Sequence, residues 1–407
     1  MDTRDPAITW DLDGHGIVHV VLDRPGEPLN VLTSDVLRAL DGLLDDLRVR
    51  SELTGVVFRS GKPGSFIAGA DVDEIAEVDD AYRAAEGARY GQAVFQKIAN
   101  LKVPTVCAIN GACLGGGTEM ALACTFRLVA DDPGLRIGLP ETQIGIIPGF
   151  GGTQRLPRLI GVVKSLDLIL AGKRLDPRRA RKVGLIDRIV PGEYLVREAV
   201  ALILRARDEG VDPVVRSLRG RKSLMRRAVD EIEPVRRLVL KQARKKTAAK
   251  VRPEAYPAPF RALEAIDAAC KLSLTQGLDL EARIVGELVP SRTSKNLIWL
   301  FKNNAAMRRK NDGTGARPRA VRRTAVLGAG VMGGGIAQLL ADRGIPVRLR
   351  DLRYDAILDA LRTAHGVWDR RRRRRRMTAR EVETKMRWIA PTLDLTGMGG
   401  VDLIVEA

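Results

Sequence analysis

Residues 104–158 read PTVCAINGACLGGGTEMALACTFRLVADDPGLRIGLPETQIGIIPGFGGTQRLPR, and the hydrophobic period changes twice inside them. The β-branched run at 103–109 predicts a buried strand, after which Gly115, Gly116 and Gly117 open an apolar helical segment at 118–124. A strand that becomes a helix through glycine brings bare backbone close to whatever sits above it. The helix start offers unpaired N–H donors and the positive end of a dipole, so this turn suits a developing oxyanion. Beyond it, 126–130 predicts another strand, Asp131-Asp132-Pro133-Gly134 a turn, and 135–139 a returning segment that delivers Glu141.

Glu119 falls in the first turn of the predicted helix, where negative charge is favourable; alone it would read as a solvated helix-start residue. Glu141 follows Pro140 and punctuates a largely apolar stretch that runs to Pro148, which a surface charge does not explain. Two carboxylates brought to one apolar pocket can hold a water between them, one accepting a proton as the other donates one, if their environments push their pKa values apart. Such a pair suits the addition or removal of water. The glycines at 115–117 are not a nucleotide-phosphate loop, since no Lys-Ser or Lys-Thr follows.

The run IxGxxLGGGxE followed by GLPETxxGxxPGxGGTQRLPR resembles the enoyl-CoA hydratase, or crotonase, family. The likeness extends upstream to Phe66-Ile67-Ala68-Gly69-Ala70-Asp71 and downstream to Ala171-Gly172-Lys173 and 180–190, so it covers about the first 190 residues. It implies an α/β fold of the crotonase-like ββα superhelix type over 1–190 and hydration of 2-enoyl-CoA to 3-hydroxyacyl-CoA in fatty-acid β-oxidation. In that family the backbone N–H groups matching Ala70 and Gly116 form an oxyanion hole for the thioester carbonyl. The glutamate matching Glu119 is the base towards water, and the one matching Glu141 supplies the proton to the α-carbon. Relatives that only move a double bond can work with one acid, so 3-enoyl-CoA isomerisation is the alternative the resemblance carries.

Upstream, 17–22 predicts a strand, 33–47 a helix capped by Thr33, Ser34 or Asp35, and 54–58 a further strand. Asp71 is a predicted N-cap for a helix through Ile75, and a longer helix spans 82–100. Strand and helix alternate, which argues α/β layers. Lys62 and Arg24 read as solvated surface charges, with pairing to coenzyme A phosphates the sharper alternative. Downstream, 162–171 and 176–183 read as helices and 183–190 as a strand-like run.

Residues 191–318 read as a helical linker with charged amphipathic segments at 232–247 and 260–288, broken by the loop Tyr256-Pro257-Ala258-Pro259. Lys241-Gln242-Ala243-Arg244-Lys245-Lys246, 256–259, Glu281-Ala282-Arg283 and Glu287-Leu288 are similar to the linker of multifunctional fatty-acid oxidation complex alpha subunits. Residues 313–318 read as a flexible joint. The third part, 319–407, opens with a strand at 323–327 that runs into Gly328-Ala329-Gly330-Val331-Met332-Gly333, a helix to Ala341 and a second strand ending at Asp351. A strand, a glycine fingerprint, a helix and an acid at that distance predict a Rossmann-type doubly wound domain. Gly328, Gly330 and Gly333 would cradle the pyrophosphate of NAD, and Asp351 would bond its adenine ribose. The segment resembles the NAD-binding domain of 3-hydroxyacyl-CoA dehydrogenases, with 401–407 as a later strand of the same sheet. No residue matches that family's catalytic histidine and its partner glutamate, so the expectation is a partial, inactive dehydrogenase part with an incomplete NAD site.

The formal charge of +18 is unevenly spread, since residues 1–150 carry 13 Lys and Arg against 22 Asp and Glu, while the remainder carries 55 against 28. Basicity therefore lies away from the two glutamates. Aromatic residues make up 4% and no nucleic-acid motif is present, which argues against a nucleic-acid partner. The +27 of the later residues, including the arginine run at 370–376, supports as a competing reading a non-catalytic scaffold docking on a thiolase subunit or a membrane surface. Cys107, Cys113, Cys124 and Cys270 have neither disulfide nor metal spacing, and His15, His19 and His365 lack ligand-spaced partners, so no metal site is expected. No signal or transit pattern and no long apolar run occurs, which predicts a soluble, cytoplasmic protein, and the resemblance implies an oligomer.

Overall fold

The computed structural model describes residues 7–220, 223–308, 319–374 and 376–407, which fall into two compact units, Met1–Arg309 and Lys310–Ala407. The predicted joint at 313–318 lies outside the described residues. In the first unit the strands are β1 (Ile8–Leu12), β2 (Ile17–Leu22), β3 (Gly55–Ser60), β4 (Ser65–Ile67), β5 (Thr105–Ile109), β6 (Ala112–Leu114), β7 (Phe126–Ala130), β8 (Ile137–Gly138), β9 (Arg174–Leu175) and β10 (Arg188–Val190). They form two sheets, a six-stranded one ordered β1-β2-β3-β5-β7-β10 and a four-stranded one ordered β4-β6-β8-β9.

The order shows the superhelix. Each turn places one strand in the large sheet and the next in the small one before a helical segment follows, so that β3, β5 and β7 pair in parallel, as do β4, β6 and β8. The central strands of the large sheet are covered on both faces; β5 and β7 are buried at every residue. The helix Leu195–Glu209 packs on β3, β5 and β7. At the far edge of the sheet, Arg127 and Asp187 form a buried ion pair at 2.9 Å, with Arg219 adding a second bond to Asp187 at 2.6 Å.

Expected and observed elements agree closely where the chain is long and periodic. Thr33 caps the helix Ser34–Arg48, Asp71 caps Val72–Glu77, and the long helix is Ala81–Ala99. The glycine turn starts its helix earlier than periodicity suggested, at Gly116 rather than Thr118, because glycine has no apolar side chain to mark the face. In the run 183–190, three residues pair as β10. The amphipathic segment at 260–288 forms two helices, Ala258–Lys271 and Leu274–Leu288, divided at Ser273, whose side chain exchanges capping hydrogen bonds with Gln276.

The second unit holds β11 (Thr324–Leu327), β12 (Val347–Arg350), β13 (Ile389–Thr392) and β14 (Leu403–Glu406), all parallel in the order β13-β12-β11-β14. That is the Rossmann order, with its switch point between β11 and β14. The helices Val331–Asp342, Tyr354–Arg373 and Ala379–Arg387 connect the strands. Trp368 is the largest fully buried side chain here and donates its indole N–H to Asp342 at 3.0 Å. Among the described residues no helix is long and apolar enough to cross a membrane.

Candidate active site

Three equivalent points of the superhelix, the chain ends just past β4, β6 and β8, converge to build the site. After β4, Leu32 donates its N–H to the Gly69 carbonyl at 2.9 Å and accepts from Asp71 at 3.1 Å, an isolated parallel bridge that flanks Ala70. In such a bridge the residue between the two bonds turns its own N–H away from the partner strand. The Ala70 N–H accordingly has no protein acceptor among the described residues. After β6, Gly116 opens the helix Gly116–Ala123, where an N–H has no intrahelical acceptor. A Cβ built on Gly116 would lie 3.6 Å from the Ala70 nitrogen, so the two amides are neighbours.

After β8, Pro140 leads into a short 3-10 turn, Glu141–Ile144. Gly115 is what allows the approach: its φ is +52°, and a Cβ there would stand 2.8 Å from Glu141 Oε1. Both carboxylate oxygens of Glu141 are buried without a hydrogen-bond partner among the described residues. Burial, only partly offset by its own backbone N–H and reinforced by the charge of Glu281, pushes the Glu141 carboxyl up to about 8.

Glu119 is 2% exposed, far from the solvated helix-start charge that its position alone suggests. Its Oε1 accepts from the N–H groups of Phe150 and Gly152, each at 2.8 Å, and its Oε2 takes no protein donor among the described residues. Burial raises its pKa well above the ordinary value, the charges of Glu141 and Glu281 add to that, and the Gly152 and Phe150 amides oppose it. Ala70, Gly116, Glu119 and Glu141 all line one cavity of about 620 Å³, whose apolar wall includes Leu37, Ile75, Ala88, Ile147, Val285 and Phe301. Such an enclosure strengthens every charge interaction within it.

Sequence reasoning missed four contributors. Glu281, on the helix Leu274–Leu288, is fully buried beneath the site, and Gln92 donates to it at 3.0 Å. Val285, Val289 and Phe301 close the cavity from helices that were read as linker. The signal for Glu281 was its place inside the apolar face Leu278, Ala282 and Val285; nothing in the sequence names its partners. Lys62, by contrast, is engaged at its own surface by Asp23 at 2.7 Å and by the Arg24 carbonyl at 2.6 Å.

In the second unit, β11 runs into Gly328 at φ +95°, and Gly330 caps the helix Val331–Asp342. A Cβ on Gly330 would meet nothing within 4 Å, whereas one on Gly333 would fall 1.8 Å from the Gly328 carbonyl oxygen. Bare backbone thus lies open above a helix start, and the third glycine lets helix and strand close together. Asp351 follows β12; its carboxylate accepts from Ala329 at 2.7 Å and Arg353 at 3.0 Å, which hold it below the usual carboxylate range. An open helix start for a pyrophosphate and an ionised acid for a ribose hydroxyl fit NAD.

The sequence profile of the enoyl-CoA hydratase/isomerase family matches residues 13–250, and that of the 3-hydroxyacyl-CoA dehydrogenase NAD-binding domain matches 323–407. Similar curated proteins include the fatty acid oxidation complex subunit alpha of Idiomarina loihiensis, 37% identical over 406 residues. The protein of the same name from Vibrio vulnificus is 38% identical over 406 residues. Both alignments cover 100% of this chain and 56% of the relative, so the chain spans about half the length of the curated relatives it matches. The solved human mitochondrial delta3-delta2-enoyl-CoA isomerase shares the fold, with a TM-score of 0.53, 23% identity, and coverage of 74% of this chain and 99% of that one. With more than half of its residues matched by the first profile, on the superhelix and around the cavity described above, the chain belongs to the enoyl-CoA hydratase/isomerase family.

Proposed function

We propose that the first unit adds water across the double bond of a 2-enoyl-CoA, giving the 3-hydroxyacyl-CoA. The thioester oxygen lies against the Ala70 and Gly116 amides, which stabilise the enolate-like oxyanion as it forms. Glu119, with one oxygen held by Phe150 and Gly152, takes a proton from water through the other as the water oxygen bonds to the β-carbon. Glu141, held neutral by burial, gives its proton to the α-carbon. The observation that carries this reading is the buried Glu141 carboxyl, which faces the same cavity as Glu119 and the Ala70 and Gly116 amides and has, among the described residues, no hydrogen-bond partner.

The functional division we propose is 1–190 for this chemistry, 191–318 for helices that close its cavity, and 319–407 for dinucleotide binding. In the last part Gly328, Gly330, Gly333 and Asp351 would hold NAD, which when bound supplies a hydride acceptor. The setting carried over from the relatives' names is fatty-acid oxidation within a complex; a thiolase-type subunit as the partner is proposed from the excess of basic residues after position 150. The test is loss of the conjugated enoyl absorbance on adding 2-enoyl-CoA. Wild type turns over, and Glu119→Gln loses about 10²- to 10⁴-fold in kcat while folding normally. A wild-type protein inert towards every chain length, or an unimpaired Glu119→Gln, would overturn the reading.

A further inference from the structure

Beneath the site lies a third buried carboxylate that the hydration chemistry does not use. Glu281 Oε1 accepts from the Gly151 N–H at 2.7 Å and from Gln92 Nε2 at 3.0 Å. Its Oε2 accepts from the Thr153 N–H at 2.9 Å and the Thr153 hydroxyl at 2.5 Å. The loop entering the helix Gly152–Ile160 therefore divides four successive amides in alternation: Phe150 and Gly152 to Glu119, Gly151 and Thr153 to Glu281. Gly151 stands at φ +107°, so the alternation depends on glycine there. Glu119 and Glu281 grip one strip of backbone from its two sides.

We propose that Glu281 is a positioning residue for this site: it fixes the 150–153 strip that orients Glu119, and when ionised it sets a negative charge behind both glutamates that face the cavity. Donor count supports the assignment of that charge. Glu281 has four donors, Glu119 two and Glu141 none, and each donor to a carboxylate favours its ionised form. The charge of Glu281 raises the pKa of both Glu119 and Glu141, making the first a stronger base and keeping the second protonated. The other charged groups that face it are the Arg155 and Arg158 guanidiniums of the helix Gly152–Ile160. From Ala81–Ala99 the facing group is neutral Gln92, with Arg89 engaged at the surface by Glu86 and Asp279. The helix Ala258–Lys271 meets the region through the Ala265 carbonyl, which accepts from Gln154.

The kinetic consequences rest on the hydration reading, but the charge effect does not. Glu281→Gln turns an NH₂ towards groups that donate, so an anchor is lost together with the charge. In the full chain it lowers kcat about tenfold or more with KM within about twofold, and the whole pH–rate bell moves to lower pH by about one unit. Glu281→Asp keeps the charge on a shorter stem; it lowers kcat but leaves both limbs in place. Equal kcat losses in both variants with unmoved limbs would make Glu281 structural only and overturn the proposal. A readout without turnover separates this from the function itself. The Glu119 carboxyl titration, followed by ¹³C NMR in glutamate-labelled protein and assigned by its loss in Glu119→Gln, moves to lower pH in Glu281→Gln. Thr153→Val, which removes one donor and leaves the backbone intact, moves it the same way by less and decides the matter if Glu281→Gln does not fold. An unmoved titration overturns the proposal, whereas wild-type inactivity with a moved titration overturns the hydration reading alone.

Discussion

Glu141 gains little from the protein for its charge: both oxygens are buried without a hydrogen-bond partner among the described residues, its own backbone N–H offsets only part of the cost of burial, and the charge of Glu281 opposes ionisation. A carboxyl in that condition keeps its proton through neutrality, as an acid must if it is to protonate carbon. As pH rises through about 8 the proton leaves, so the proposed hydration is expected to fall on the alkaline side with Glu141 as the cause. Glu141→Gln is expected to lose about 10²- to 10⁴-fold in kcat and, in its residual rate, that alkaline limb. A pH–rate profile measured on both proteins decides it, and an alkaline limb that survives in the variant assigns it to another group. Both glutamates that line the cavity drew attention in the sequence, one beside three glycines and the other intruding on an apolar stretch. The place of Glu281 in the site was not legible, since the amides that give it meaning lie 130 and 128 residues earlier.

At the scale of elements, legibility followed length. Helices of three or more turns declared their faces, but β8 and β9 have two residues each and exist through pairing alone. The break at Ser273 was hidden by apolar periodicity on both of its sides, and β13 was missed because Ile389–Thr392 carries Pro391 and only four residues. One contact between distant elements bears directly on the site. Lys295, on the helix Arg292–Arg308, donates to the carbonyls of Ile75 at 3.3 Å, Ala76 at 2.7 Å and Val78 at 2.5 Å. It thereby caps the end of Val72–Glu77, the short helix that follows Ala70 and walls the cavity with Ile75. Lys295→Met removes all three bonds and about 2 kcal/mol of local stability. Amide exchange at residues 72–78 should quicken and KM should rise several-fold with kcat little changed. Unaltered exchange there would show that the cap is idle.

The two units differ in how their acids respond to pH, which makes their stabilities separable. In the first, Glu141 and Glu281 titrate near 8 and 7 when folded against 4.5 as the ordinary value, so the folded state binds more protons than the unfolded one. Their contribution is complete below about 4.5 and is lost as pH rises through 7 to 8, a change on the order of a few kcal/mol. Asp187 runs the other way: held low by Arg127 and Arg219, it withdraws stability only as pH falls below its ordinary 3.8. In the second unit Asp342, Asp351 and Asp402 are all held low by their hydrogen-bond donors, so their contributions change below pH 5 rather than between pH 5 and 8. Calorimetry across that range should resolve a transition for Met1–Arg309 that moves up as pH falls from 8 to 5, beside one for Lys310–Ala407 that stays put. Glu141→Gln should flatten the first slope, because removing the buried acid removes the proton that folding takes up. If the first transition were level from pH 5 to 8, or rose with pH, the buried carboxylates would have to be ionised throughout. The neutral acid that proton delivery to carbon requires would then be absent.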